Sequence, residues 1–154
     1  EWRVASDDSI SNLKSPISGS PIEFEIPSAP GNERLAMARV AEITAELLPP
    51  DRLEKLKTAV AEATMNAMEH GNQYDADKPA QLSVTHDETA VRVTITDSGG
   101  GAPAAQAETP DLEAKLAGNQ SPRGWGLFLI QNMVDEMHVH QDEHSHTIEL
   151  VMYR

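Results

Sequence analysis

The sequence contains no cysteine. Disulfide scaffolds, thiolate zinc sites, iron–sulfur clusters and cysteine nucleophiles are therefore excluded together, and any metal must be held by oxygen or imidazole. An apolar run of the roughly 18 residues that suggests a membrane span is missing, and the segment from Glu1 to Asp8 lacks the apolar region of a signal peptide. Cations are scarce: 12 Lys and Arg stand against 25 Asp and Glu, a net charge of −13 spread over both halves of the chain. That charge disfavours, at long range, the phosphate backbone of nucleic acid and anionic lipid. A basic protein partner and a magnesium-masked phosphate stay compatible with it. The Gly-x4-Gly-Lys-Ser/Thr phosphate loop of common NTPases is also missing. The expectation is a soluble cytoplasmic protein that binds neither nucleic acid nor membrane.

What is present suits one core, since 39% of 154 residues are hydrophobic. Residues 1–20 are Ser-rich with no long apolar run and are expected to form a tether, leaving 21–154 as the folded domain. Ile22, Phe24 and Ile26 alternate with Glu23 and Glu25 as in a half-buried strand, which Pro27 and Pro30 end. A first helix is predicted from an Asn32 cap, burying Leu35, Ala38, Ile43 and Leu47 before Pro49 and Pro50 stop it. Asp51 is expected to cap a second helix whose apolar face is Leu53, Leu56, Val60, Ala63 and Ala67, ending at Gly71. Strands over 82–85 and 91–96 read as an antiparallel hairpin. A long loop over 98–123, rich in Gly, Pro, Ala and Gln, precedes a helix from about Gly126 to Met137 and a final hairpin turning at Asp142 and Glu143. This order predicts an α+β fold, a two-layer sandwich with a mixed, largely antiparallel sheet and helices on one face.

Three segments carry chemistry. On the second helix, at about 100° per residue, Glu62, Asn66, Glu69 and His70 share a stripe away from the apolar face. The stripe by itself reads as an ordinary solvated face, but small residues (Ala61, Ala63, Thr64, Ala67) surround it where an exposed surface would more often carry Lys and Arg, and they leave room for a ligand. Asp97-Ser98-Gly99-Gly100-Gly101 ends a strand. It reads either as a flexible turn or as an acceptor-only carboxylate beside glycines that admit a flat ring. Gly124-Trp125-Gly126 opens a helix, where free N–H groups favour phosphate. His138, His140, His144 and His146 crowd the last hairpin, with paired imidazoles as one reading and polar strand residues as the other. Met133 and Met137 are expected to be core contacts.

Taken together, Glu62-x3-Asn66-Ala67-x2-His70-Gly71-Asn72, Asp97-x-Gly99-x-Gly101 and Arg123-Gly124-x-Gly126-Leu127 resemble the N box and two glycine boxes of the GHKL (Bergerat-fold) ATPases. The likeness is strongest to the anti-sigma factor serine kinases of the RsbW and SpoIIAB type. It implies ATP and Mg²⁺ as ligands, Asn66 on the metal, and Glu62 as the general base toward a hydroxyl nucleophile. Asp97 is implied on the adenine amino group with Gly99 and Gly101 beside the base. His70 and Gly71 border the nucleotide, and Arg123, Gly124, Trp125, Gly126 and Leu127 lie around the phosphates, with 102–122 as a lid. The implied partners are a sigma factor, contacted in part through Arg39, and an anti-anti-sigma factor with a STAS domain; a homodimer is allowed. Alternatives are the catalytic domain of a histidine kinase and a nucleotide-binding regulatory module without turnover.

Overall fold

Alternation of branched apolar and polar residues builds five strands: β1 (Ile22–Ile26), β2 (Ala80–His86), β3 (Ala90–Asp97), β4 (Glu136–Gln141) and β5 (His146–Tyr153). The computed structural model describes residues 21–99 and 122–154, the side chains of 122–125 excepted. The expected tether, Gly101 and nearly all of the expected lid lie outside the described residues. The sheet order is β1-β2-β3-β5-β4. Every pairing among the described residues is antiparallel.

Because side chains alternate across a strand, Leu82, Val84, Val91, Val93, Ile95, Ile148, Leu150 and Met152 share one face and are buried. Arg92, Thr94, Thr96, Thr147 and Glu149 occupy the other. Helices α1 (Glu33–Thr44), α2 (Pro50–Asn66) and α3 (Pro122–Met133) accompany the sheet. The core joins Leu56, Val60, Ala63 and Ala67 of the α2 side to the apolar sheet face and to Leu127 and Ile130 of α3. Each fully buried Leu, Val or Ile contributes about 1.5–3 kcal/mol. Met133 and Met137 pack partly buried against this core, as expected, although Met137 belongs to β4.

Several local expectations are corrected. α1 buries Ala36, Val40 and Thr44, whereas Leu35 is 53% exposed and Ala38 is also exposed. The small Ala36 and the Thr44 hydroxyl, which donates to Val40 O at 2.8 Å, let α1 approach its neighbours closely, and this outweighs the larger side chain of Leu35. Asn32 stands at the predicted N-cap of α1 but makes no side-chain cap bond, and Asp51 does not cap α2. The Asn32 amide donates to Pro27 O at 2.8 Å, and Asp51 sits inside the first turn of a helix whose N-cap is Pro49 and whose first residue is Pro50. Proline suits that position because its missing N–H has no helical partner there. α3 begins at Pro122 and ends at Met133, about one turn earlier than expected at either end; Pro122 again starts the helix.

The β2–β3 turn is organised by Asp87. Its Oδ1 accepts the N–H groups of Thr89 (2.7 Å) and Ala90 (2.9 Å) and the Thr89 hydroxyl (2.8 Å), and Oδ2 accepts from Arg92 (3.1 Å). Burial pushes the carboxyl up, but these donors outweigh it and hold the pKa at about 2. A depressed carboxylate stabilises the fold above its ordinary pKa and loses that contribution as pH falls. Asp87→Ala is therefore expected to cost about 1–2 kcal/mol at pH 7. In urea titrations the difference from the parent should shrink as the pH falls toward 2, and a gap independent of pH would contradict the assignment.

Candidate active site

The second helix does not stop at Asn66. It continues as a π turn over Ala67–Gly71, closed by the Asn72 N–H on Ala67 O at 2.8 Å. Such wide turns are frequent at functional sites. The chain then turns through Gln73 and Tyr74, both at positive φ (53° and 54°). Two non-glycine residues in the left-handed region mark local strain. It is offset by the Tyr74 N–H on Met68 O (2.8 Å) and by packing of the Tyr74 ring against the core.

That turn brings Gly71 against the end of β3. A Cβ at Gly71 would overlap the Asp97 carboxylate, and one at Gly99 would stand 2.7 Å from the Gly71 Cα. Only hydrogen fits between the two segments. Asn72, 1% exposed, locks the junction. Its Oδ1 accepts the Ser98 N–H at 2.8 Å and its Nδ2 donates to Ser28 Oγ at 3.3 Å, while Ser28 Oγ donates to Lys78 O at 2.6 Å. Asp97, with its side chain 1% exposed, accepts the Gly99 N–H on Oδ1 at 2.8 Å and faces His146 Nδ1 with Oδ2 at 3.3 Å.

On the other side of α2, Glu62 and Asn66 lie one turn apart and converge on α3. A Cβ at Gly126 would sit 2.8 Å from Asn66 Nδ2 and 2.9 Å from Glu62 Oε2. Asn66 is 3% exposed, yet its Nδ2 has no hydrogen-bond partner among the described residues. An unsatisfied buried amide costs about 1–3 kcal/mol, so the arrangement is suited to a polar ligand that completes it. Thr64 Oγ1 nearby on α2 is likewise buried without a partner among the described residues. Glu62 accepts no hydrogen bond among the described residues. Burial first, then the negative charges of Glu33 and Glu69, raise its carboxyl pKa above the usual range.

The sequence-predicted residues thus fall into groups. Glu62, Asn66 and Gly126 come together, as do Gly71, Asp97 and Gly99. His70 is partly exposed beside Glu69, at 3.8 Å. Leu127 is fully buried in the core, so its side chain packs rather than meeting a ligand. Arg123, Gly124 and Trp125 belong to the first turn of α3 instead of preceding it, and Gly101 lies outside the described residues. Arg39 is exposed, stacked over Phe24 at 5.5 Å from the ring centroid and 3.5 Å from Glu42. The histidines do not converge: among the described residues no cluster of three or more metal-ligating side chains exists. His138 bonds Glu136 at 3.0 Å on one face of the hairpin, and His146 faces Asp97 on the other. Asn72 and His146 are the residues whose roles sequence reasoning missed. The parity of His146 with Ile148 and Leu150 was the signal that it points inward.

The description "Histidine kinase-like ATPase domain" matches residues 26–152. The chain belongs to this family. Within it, the histidine kinase-like ATPase resembles anti-sigma F factors, placing it with the RsbW and SpoIIAB type. It is 33% identical to that of Geobacillus stearothermophilus over 118 residues, covering 75% of this chain and 80% of the relative. It is 34% identical to that of Bacillus thuringiensis over 125 residues, covering 79% and 84%. Two solved structures share the fold. One contains the RsbU and RsbW domains of a Mycobacterium tuberculosis protein (TM-score 0.63, 18% identity, 88% of this chain and 33% of that one). The other is the SiaB–SiaC complex of Pseudomonas aeruginosa (TM-score 0.58, 15% identity, 89% and 90%). Membership makes the chain a kinase-type ATPase that binds ATP. No helix among the described residues is long and apolar enough to cross a membrane.

A raised carboxyl pKa means that the folded state holds the Glu62 proton more tightly than the unfolded chain. Stability is then lost as pH rises through the folded pKa. Glu62→Gln is expected to raise the melting temperature at pH 7, with the gain disappearing below about pH 4. Scanning calorimetry across that range checks it, and a lower melting temperature at pH 7 would count against a desolvated Glu62.

Proposed function

We propose that this chain is an ATP-dependent protein serine kinase that phosphorylates a serine of a STAS-type anti-anti-sigma partner and sequesters a sigma factor. The observation that carries the reading is the meeting of Glu62 and Asn66 at Gly126, with the Asn66 Nδ2 donor buried and without a partner among the described residues. Likeness to anti-sigma F factors over three quarters of the chain supports the choice of partners. ATP, Mg²⁺ and sigma factors set the reaction in the cytoplasm.

In this reading Asp97 accepts the adenine amino group, and Gly71 and Gly99 let the ring lie against the backbone. His70 borders the nucleotide, and the start of α3, with Arg123, Gly124, Trp125 and Gly126, surrounds the phosphates. Asn66 would hold Mg²⁺ through its amide oxygen, in keeping with a cation that takes few protein ligands beside phosphate and water. The cation would supply charge compensation for the triphosphate in a protein of net charge −13. Glu62 orients the partner's serine hydroxyl and takes its proton. The hydroxyl oxygen bonds to the γ-phosphorus as the bond to the β–γ bridging oxygen breaks, leaving phosphoserine and ADP. The raised pKa of Glu62 makes it a stronger base than an exposed carboxylate, provided the pH keeps it ionised. Exposed Arg39 on α1 is the contact proposed for the sigma factor.

Incubation with labelled ATP and a STAS partner is expected to yield phosphoserine on the partner; phosphohistidine, or bound nucleotide with no transfer, would replace this reading with another. Glu62→Ala should lower transfer by about 10²–10⁴-fold while leaving nucleotide binding largely intact, and unchanged phosphorylation would remove Glu62 from the base role. Asn66→Ala should erase the magnesium dependence of ADP affinity measured by calorimetry. Equal affinity with and without Mg²⁺ in the parent would refute the metal assignment.

A further inference from the structure

Asp97 and His146 are direct partners in the β3–β5 register. Both are on the apolar face of the sheet, with side chains 1% and 3% exposed, and Nδ1 of His146 stands 3.3 Å from Oδ2 of Asp97. The other carboxylate oxygen, Oδ1, accepts the Gly99 N–H at 2.8 Å, and the Gly71 backbone closes a third side. A carboxylate held at both oxygens cannot rotate. The carboxylate is thereby fixed in one orientation at the end of β3.

We propose that His146 is the positioning residue of the nucleobase pocket, orienting the Asp97 carboxylate so that it accepts an exocyclic amino group and rejects a carbonyl. The inference rests on the reading of Asp97 as the adenine contact and extends it to a residue that touches no ligand itself. Nδ1 carries a proton and donates it to Oδ2; an unprotonated Nδ1 would set a lone pair against the carboxylate. An oriented acceptor in a dry site discriminates between an amino group and a carbonyl far better than one free to turn, because the wrong base then leaves a buried polar pair unsatisfied. Without His146 the carboxylate retains its charge but loses one of its fixed bonds, and preorganisation of the site falls.

The test compares MgADP with MgIDP, whose base carries a carbonyl in place of the amino group, by calorimetry on the full chain. The parent should prefer ADP by at least about tenfold. His146→Leu, which removes the donor from a buried site, should reduce that preference to about threefold or less, and His146→Asn, whose amide can donate in the same place, should restore most of it. The ratio of the two affinities is the readout, since general loosening of the fold weakens both ligands alike. If Asp97→Asn abolishes the preference while His146→Leu keeps it, the positioning role is overturned and the Asp97 reading stands. If the parent shows no preference, or Asp97→Asn keeps it, the Asp97 reading itself fails. Should His146→Leu not fold, imidazole ¹⁵N spectra of the parent decide. A protonated Nδ1 that shifts with MgADP more than with MgIDP is expected, and a Nδ1 without its proton would overturn the proposal.

Discussion

Everything at the candidate site depends on the approach of Gly71 to the carboxylate of Asp97, a contact with room for a hydrogen and nothing larger. Close-packed interiors leave few alternatives once such a contact forms. It joins the C-terminal end of the α2 segment to the end of β3, and it requires the π turn over Ala67–Gly71, because a regular helix would carry its last residue elsewhere. Asn72 and Ser28 then tie the same junction to the segment after β1 and to the loop before β2 through hydrogen bonds. The cost is two left-handed residues, Gln73 and Tyr74. With that junction set, α2 is aligned so that Glu62 and Asn66 meet α3 at Gly126.

The two ends of the site differ in polar completeness. At the Asp97 end, the carboxylate is buried and hydrogen-bonded, and a rigid acceptor results. At the Glu62 end, an amide and a hydroxyl are buried without partners among the described residues, and a carboxylate is kept partly dewatered beside two other acids. Buried polar groups normally find partners, so this end is organised for something that arrives from outside. The fold thus separates a fully bonded carboxylate from an incompletely paired, acidic end, about one and a half to two and a half turns of helix apart along one element.

Much of this was legible in the chain. The alternation of apolar residues over 82–85 and 91–96 was legible as a hairpin with one buried face, because period two survives any tertiary context. The apolar face of α2 was also legible, from Leu56 through Val60 to Ala63. The face of α1 was not. Size favoured Leu35, but the helix buries Ala36, Val40 and Thr44, with Ile43 of the expected face packing partly buried against the core, and a single helix cannot reveal how close its neighbours come. The caps were legible in part: Asn32 stands at the N-cap of α1 but its amide found Pro27 O as a partner, and a proline pair had already solved the start of α2.

By itself the sequence determined the order of elements and the absence of thiol chemistry, and its resemblance to a known family singled out Glu62, Asn66 and Asp97. The first two conclusions need only spacing and side-chain type, and the third needs the three motifs in their order. The tertiary structure alone decided that Glu62 and Asn66 close on Gly126, that Asn72 is a structural clasp, and that His146 faces Asp97 instead of the hairpin histidines. These are pairings across 26 to 64 residues of chain. Local pattern carries no information about such distances; sheet register and the packing of α2 against α3 do.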